Sequence, residues 1–342
     1  MASPPDAGAT PTAPGGRPLV SIVVPVHNEA PGLGALLHRL GEVTATVDCA
    51  FEFVFVDDGS TDGTRRVLEG HRARDDRIGV VGLSRRFGKE HAVAAGLQHA
   101  AGDAVVLIDA DLQDPPECLP AMIAAWQDGY DVVAMRRADR RVDGWFKRAS
   151  AHAFYRLMNW VSDIEMPTDV GDFRLMSRRV VEVVNRLPET HRCTKGLFAW
   201  VGFRTRILDY TRAKRAAGDT KWPFLKLVGL AVDNVTAFSI APLRLSTVLG
   251  FLVATFALVY GLTTAVSTVV FGNPVAGFST TVALMTLIGG IQLIAIGVLG
   301  EYVGRTFIEV KKRPLYVVES VQPATRRTTA AARRDGWLGP GA

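Results

Sequence analysis

The sequence predicts an α/β domain on a mostly parallel sheet, followed by a two-helix hairpin of membrane-spanning length. Three observations carry that prediction. Between residue 19 and about residue 134, short apolar runs of strand length alternate with amphipathic stretches. Residues 245–300 form a run of 56 without a single Asp, Glu, Lys or Arg. Acidic residues follow the first, second and fourth apolar runs. Charged residues make up 21 % of the 342 positions, yet outside the uncharged run the share is about 26 %, an ordinary soluble composition. The chain is two materials joined together, which excludes both an all-soluble and an all-membrane reading.

Residues 1–17 (MASPPDAGATPTAPGGR) are rich in Ala, Pro and Gly, with no basic start and no apolar core. They read as a disordered tail rather than a signal peptide, so the soluble part stays on the side where it is made. The soluble domain is expected over residues 18–220. Its strands are expected at 19–24 (LVSIVV), 51–56 (FEFVFV), 78–83 (IGVVGL), 104–108 (AVVLI) and 131–134 (DVVA), with helices near 31–43, 63–73, 89–100 and 116–127. Strand and helix repeated in this way imply helices on both faces of the sheet. Ligands on such sheets collect at the carboxyl ends of the strands.

Residues 221–244 mix apolar runs with few charges and Trp222, which suits amphipathic helices in the membrane interface. The hairpin over 245–300 divides into spans at about 248–271 and 278–299, separated by the turn chemistry of Gly272-Asn273-Pro274. A soluble core hairpin is the alternative. A Lys or Arg at a span centre costs roughly 2.5 to 3.5 kcal/mol, and their complete absence is what insertion predicts. Lys226 and Arg244 precede the spans, Arg305, Lys311, Lys312 and Arg313 follow them, and the connecting loop has no basic residue. The positive-inside rule therefore places the catalytic domain and both termini in the cytoplasm of a multi-pass protein of the cell (inner or plasma) membrane. Residues 301–321 are expected as a juxtamembrane cytoplasmic segment and 322–342 as a disordered basic tail.

A net charge of +5 gives no sign of nucleic acid. Cys49, Cys118 and Cys193 lie far apart without a CxxC pair, so neither a disulfide framework nor a zinc site is indicated. No glycine-rich dinucleotide fingerprint follows the first strand and no GxxxxGK[ST] occurs, which disfavours dehydrogenases and P-loop NTPases.

The strand ends carry the chemistry. Pro25, His27, Asn28 and Glu29 follow the first strand, Asp57-Asp58-Gly59-Ser60 the second, and Asp109-Ala110-Asp111-Leu112-Gln113-Asp114 the fourth. Carboxylates grouped at one sheet edge repel unless a cation joins them, and hard oxygen donors suit Mg²⁺ or Mn²⁺. Asp109 and Asp111, two apart after a buried run, are the metal candidates; Asp114-Pro115-Pro116-Glu117 also reads as a helix N-cap. With no P-loop, a diphosphate held by a metal on Asp-x-Asp remains. Arg136, Arg215 and Lys221 are candidates for capturing a phosphate, within a basic group including Arg212 and Lys214 that attraction to anionic lipid also explains. Asp172, in Gly171-Asp172-Phe173-Arg174, is a candidate base or acceptor-orienting group, or a partner for Arg174.

The ordered segments VSIVVPVHNE, FVFVDDGSTDGT, LSRRFGKEHAVAAGL, VVLIDADLQDPPE, FYRLMN, VGDFRLMSRRVV and RAAGDTKWP, ahead of a two-span hairpin, resemble the family 2 glycosyltransferases acting on polyprenyl phosphates. These include dolichol-phosphate mannose synthases and bactoprenol-phosphate glucosyltransferases. The resemblance covers residues 20–318 and implies a GT-A, Rossmann-like fold, a nucleotide-diphosphate sugar donor, Mg²⁺ or Mn²⁺, and inversion at the anomeric carbon. It implies a nucleotide pocket of Pro25, Asn28, Glu29, Asp57, Asp58 and Asp109, and a metal and diphosphate site of Asp109, Asp111 and Gln113. Arg136, Arg148, Arg212, Arg215 and Lys221 would hold acceptor phosphate or donor diphosphate, with Asp172 and Asp111 at the reaction centre. His27 stands where an aromatic is usual, Arg86 where Asn is common, and Asp219-Thr220 also departs from the pattern.

The expected reaction is metal-dependent transfer of one sugar to polyprenyl phosphate at the cytoplasmic face, feeding cell-envelope glycan or protein glycosylation. A UDP-sugar is the favoured donor and GDP-mannose the alternative. A processive polysaccharide synthase and a non-catalytic scaffold or flippase component are the competing readings. The expected partners are the nucleotide sugar, the lipid phosphate and the membrane; a homo-oligomer pooling helices from two chains is also open.

Overall fold

The structure is a computed structural model that describes residues 16–137, 170–187, 189, 194–211, 241–271 and 277–325. The chain divides into two compact units, residues 1–155, 166–221 and 314–342 in one, 156–165 and 222–313 in the other.

In the first unit, β1 (Leu19–Val26), β2 (Ala50–Asp57), β3 (Ile78–Leu83), β4 (Ala104–Leu107) and β5 (Val132–Arg137) occupy the runs read as strands. Helices α1 (Leu33–Ala45), α2 (Thr64–Arg72), α3 (Lys89–His99) and α4 (Leu119–Gln127) lie between them. Three further strands, β6 (Val170–Ser177), β7 (Thr205–Tyr210) and β8 (Val318–Gln322), complete an eight-stranded sheet ordered β7-β5-β6-β4-β1-β2-β3-β8. The pairs β1–β2, β1–β4, β2–β3 and β5–β7 are parallel; β6 runs antiparallel to both β4 and β5, and β8 antiparallel to β3. The sheet is thus mixed and mostly parallel, with β5 continuing through Arg136 and Arg137 rather than ending before them.

Alternation along β1 explains why it is apolar apart from Ser21, whose buried hydroxyl donates to Glu52. Ile22 and Val24 pack with Leu33, Leu36 and Leu40 of α1 and with Met122 and Ile123 of α4 on one face. Val23 packs on the other with Val93 and Leu97 of α3 and with Val180, Val181 and Val184 of α5 (Arg178–Arg186). A strand covered on both faces reads as a near-continuous apolar run, because neither set of alternating side chains meets water. Helix α3 approaches β1 closely at Gly96, where a Cβ would collide with Val23 Cγ1. A short helix, α6 (Thr194–Trp200), has its first backbone N–H donated to Glu90 of α3 at 3.1 Å.

The chain returns to the sheet through β8. Arg65 donates to Glu319 and Ser320, Arg72 to the Pro323 carbonyl, and Ala324 is buried. The expected tail from residue 322 therefore begins too early. Gln322 is the last residue of β8, whose Val318, Ser320 and Gln322 alternate with more exposed Glu319 and Val321 as an edge strand does.

In the second unit, α7 (Ala241–Phe271) and α8 (Phe278–Val310) pack on each other and contain candidate spans at Leu245–Thr263 and Leu287–Val310. Helices of 31 and 33 residues exceed the roughly 20 that a hydrocarbon core requires. Apolar side chains such as Phe251, Leu258, Leu293 and Ile296 are exposed on them, as a lipid-facing surface requires. Two boundaries shift. Residues 241–244, expected in the interfacial segment, open α7, where a proline at the second position suits a helix start. The second helix does not stop at Leu299 but runs on to Val310, across an i,i+4 ion pair between Glu301 and Arg305. The Gly272-Asn273-Pro274 turn and residues 221–240 lie outside the described residues.

Candidate active site

A cleft of about 210 Å³ opens at the carboxyl ends of β1, β2 and β4. Pro25, Val26, His27 and Glu29 line it from the end of β1 and Asp58 from the end of β2; Asp109, Ala110 and Asp111 come from the end of β4, and Arg86, Lys89 and Ala92 from α3 and the loop before it. Its position is where an open α/β sheet binds ligands.

The first two loops are tied to each other. Asn28, with φ +57°, accepts from the Thr61 N–H through Oδ1 at 2.8 Å and donates its own N–H to Ser60 Oγ. The Glu29 N–H donates to Thr64 Oγ1 and the Ala30 N–H to Asp62 Oδ2. Asp57 Oδ1 accepts from the Ser60 N–H, three residues on, at 3.0 Å and fixes the turn that leaves β2. Asp58, 3 % exposed, accepts from the Phe87 N–H at 2.6 Å and the Gly88 N–H at 2.8 Å, pinning the loop that leads into α3. His27 Nδ1 lies 2.8 Å from the Asp58 carbonyl oxygen, so that nitrogen carries the proton. Gly59, at φ +63°, has room for no Cβ, because the backbone of Arg85 and Arg86 would stand 2.6 Å away.

The third loop is organised around a lysine. Lys89 Nζ sits 2.7 and 2.8 Å from the two oxygens of Asp109 and 2.8 Å from Asp172 Oδ2. Asp109 and Asp172 meet because β6 is antiparallel to β4, and each lies two residues past the Leu107–Arg174 pair. Burial alone would lower the ammonium's pKa; Asp109 and Asp172 outweigh it and hold it above the ordinary lysine range. Asp111 Oδ1 accepts from the Gln113 N–H at 3.1 Å, with Leu112 between them at φ +59°.

Asp114 does not cap a helix. It is buried and accepts from Tyr210 OH at 2.7 Å, while Glu117 takes both arms of Arg39. Burial pushes the Asp114 carboxyl up, partly offset by the Tyr210 hydrogen bond and Arg137. The Tyr210 phenol is pushed up to about 12, by burial first and by Asp114 next.

Of the residues expected to form a nucleotide pocket, Pro25, Glu29, Asp58 and Asp109 line the cleft. Asn28 and Asp57 build the loops beside it. Asp172 joins the centre through Lys89 and also lies in the field of Arg174, whose buried guanidinium stacks over Phe198 at 4.2 Å and donates to the Gly171 carbonyl. Arg136 is not among the lining residues: its fork closes on Asp209, its register partner on β7, at 2.6 and 3.0 Å. Arg148, Arg212, Arg215 and Lys221 lie outside the described residues.

Sequence reasoning missed Lys89. A signal existed, since a cation at the first residue of a helix opposes the helix dipole and so implies an acidic partner elsewhere.

Asp109 and Asp111 offer hard oxygens and fit Mg²⁺ or Mn²⁺, which are commonly held by one or two carboxylates plus substrate phosphates. They do not form a protein-only cage: no three His, Cys, Asp or Glu side chains come together to hold an ion among the described residues. Gln113 is buried, and its Nε2 lacks a hydrogen-bond partner among the described residues.

The chain belongs to glycosyl transferase family 2, whose model matches residues 21–184, and is a glycosyltransferase. Residues 241–306 match the GtrB C-terminal hairpin. The chain is 45 % identical over 303 residues to a prophage bactoprenol glucosyl transferase homolog of Escherichia coli K12, covering 89 % of this chain and 99 % of that one. It is 44 % identical over 300 residues to the bactoprenol glucosyl transferase of Shigella phage SfII, covering 88 % and 97 %. Among solved structures, mannosyl-3-phosphoglycerate synthase from Rubrobacter xylanophilus aligns over 64 % of this chain and 72 % of its own, with 21 % identity and a TM-score of 0.45.

Proposed function

We propose that this glycosyltransferase moves a single hexose from a nucleoside-diphosphate sugar to the phosphate of a membrane polyprenol, with inversion at the anomeric carbon. The observation that carries the reading is the Asp109–Lys89–Asp172 bridge at the mouth of a cleft at the strand ends, in a chain that also holds two helices of membrane-spanning length. The relatives named for bactoprenol and glucose favour an undecaprenyl-type acceptor and a glucosyl donor; UDP is the favoured carrier.

The chain's own groups divide the work. The tied loops after β1 and β2 give the nucleoside a rigid wall, with Pro25, Glu29 and Asp58 facing it. Asp109 and Asp111 would hold a divalent cation, which when bound neutralises the charge that builds on the departing diphosphate. Arg86, also lining the cleft, places a guanidinium where phosphate oxygens would lie. The acceptor phosphate is already largely dianionic near neutral pH, its second pKa being about 6, so Asp172 has no demanding proton to remove. Held by Lys89, it orients the incoming groups. The attacking phosphate oxygen and the leaving diphosphate lie on opposite sides of the anomeric carbon, which is what inverts it. The positive flanks of the hairpin, Lys226 and Arg244 before it and Lys311, Lys312 and Arg313 after it, support a cytoplasmic catalytic unit.

A donor panel tests this. Full-length protein in detergent with Mn²⁺, undecaprenyl phosphate and each of UDP-glucose, UDP-N-acetylglucosamine and GDP-mannose is assayed by product mass on the lipid. One hexose added from one donor is expected. Release of no nucleoside diphosphate from any of them sinks the proposal, and addition of several sugars to one lipid replaces it with a processive synthase.

A further inference from the structure

We infer that Lys89 is a built-in counter-cation that competes with the divalent cation for Asp109, so that the metal joins the cleft together with the nucleoside diphosphate rather than ahead of it. The inference rests on the reading of Asp109 as a metal ligand and adds an order of events to it.

The geometry is specific. Both oxygens of Asp109 lie within 2.8 Å of Lys89 Nζ, so each already accepts from a cation before any metal arrives. The same ammonium bonds Asp172 at 2.8 Å. Two carboxylates, Asp109 and Asp172, thus share one fixed positive charge. A divalent ion approaching Asp109 must displace the ammonium or stand within a few ångströms of it, and like charges at that separation repel strongly in a partly dehydrated cleft. A nucleoside diphosphate changes both terms: its oxygens complete the metal's shell, and its negative charge gives the ammonium another anion. Asp172 meanwhile keeps a cation beside it at every stage, so the acceptor phosphate never meets an uncompensated carboxylate. Helix stability does not explain a lysine here. Lys89 is the first residue of α3, after Gly88 at φ +104°, where the dipole disfavours a positive charge.

The test reads metal binding, not turnover. Mn²⁺ affinity of the full chain in detergent is measured by electron paramagnetic resonance for wild type, K89Q, K89M and K89R, without nucleotide and with UDP or, separately, GDP. The neutral variants are expected to bind Mn²⁺ without nucleotide about tenfold more tightly than wild type or tighter, while K89R stays at the wild-type level. Nucleotide should narrow the gap. Two neutral side chains at an exposed helix start guard against one variant failing to fold. Neutral variants that bind free Mn²⁺ no better than wild type, while nucleotide still recruits Mn²⁺ to wild type, overturn the role of Lys89 and leave the metal reading standing. Mn²⁺ binding unaffected by nucleotide in every protein and unchanged in D109N overturns both.

Discussion

The acids after β2 and the acids after β4 look alike as sequence and do different things. Asp57 and Asp58 spend their oxygens on backbone N–H groups, at Ser60 and at Phe87 and Gly88. Asp109 spends its oxygens on a side-chain ammonium, and Asp111 has one bond to its own turn. The first pair builds the wall; the second keeps its charge available to the cleft. An acidic cluster at a strand end is therefore a site only where its acceptor capacity is not consumed by backbone.

The comparison breaks most sharply at Asp111. Asp111→Asn keeps the size and the acceptor for the Gln113 N–H but removes the charge. Sugar transfer is expected to fall by at least about 100-fold, the scale of losing a group that stabilises developing charge, with the thermal midpoint unchanged. A variant retaining most of its transfer rate would return Asp111 to the structural class.

Asp58→Ala tests the other side. It strips the acceptor from two N–H groups, and each buried donor left unpaired costs about 1–3 kcal/mol. The thermal midpoint is expected to drop and the donor KM to rise, because the freed 84–88 loop positions Arg86 and Lys89. A midpoint equal to wild type with transfer abolished would make Asp58 a ligand group after all.

Much of this was legible in the chain. Strands β1 to β5 and helices α1 to α4 follow from apolar runs and their periods, and the cleft follows from reading what comes after each strand. Strands β6 to β8 were not, for a physical reason in each case: VGDFRLMS carries charges inside a buried strand because Arg174 stacks on Phe198, and TRILDY and VESVQ lie at the two edges, where the apolar pattern is weak. Partners were harder still. Asp109 meets Asp172, and Arg136 meets Asp209, through strand pairings that join residues 63 and 73 positions apart in sequence. No local pattern contains that information, so Asp172 reads as an isolated acid, and Lys89, whose place at a helix start implies an acidic partner, does not reveal which acids those are.

The smallest effect is expected at Asp114, which belongs to neither class: it follows β4 but faces the buried Tyr210 rather than the cleft. Its folded pKa is raised by burial, so the native state favours the protonated form more than the unfolded chain does. Stability from this group is therefore fully present below the unfolded carboxylate range, near pH 3.9, falls as pH rises through the raised folded value, and is flat above it. Asp114→Asn keeps the acceptor for Tyr210 OH and removes the titration. The difference in thermal midpoint between variant and wild type should grow in the variant's favour from pH 4 toward neutrality and then level, by only about 2 °C, since Tyr210 and Arg137 already offset part of the burial. A difference that shrinks with rising pH would mean the carboxylate form is the one the fold stabilises. That result would place Asp114 beside Asp57 and Asp58, among the acids that hold the protein together as anions.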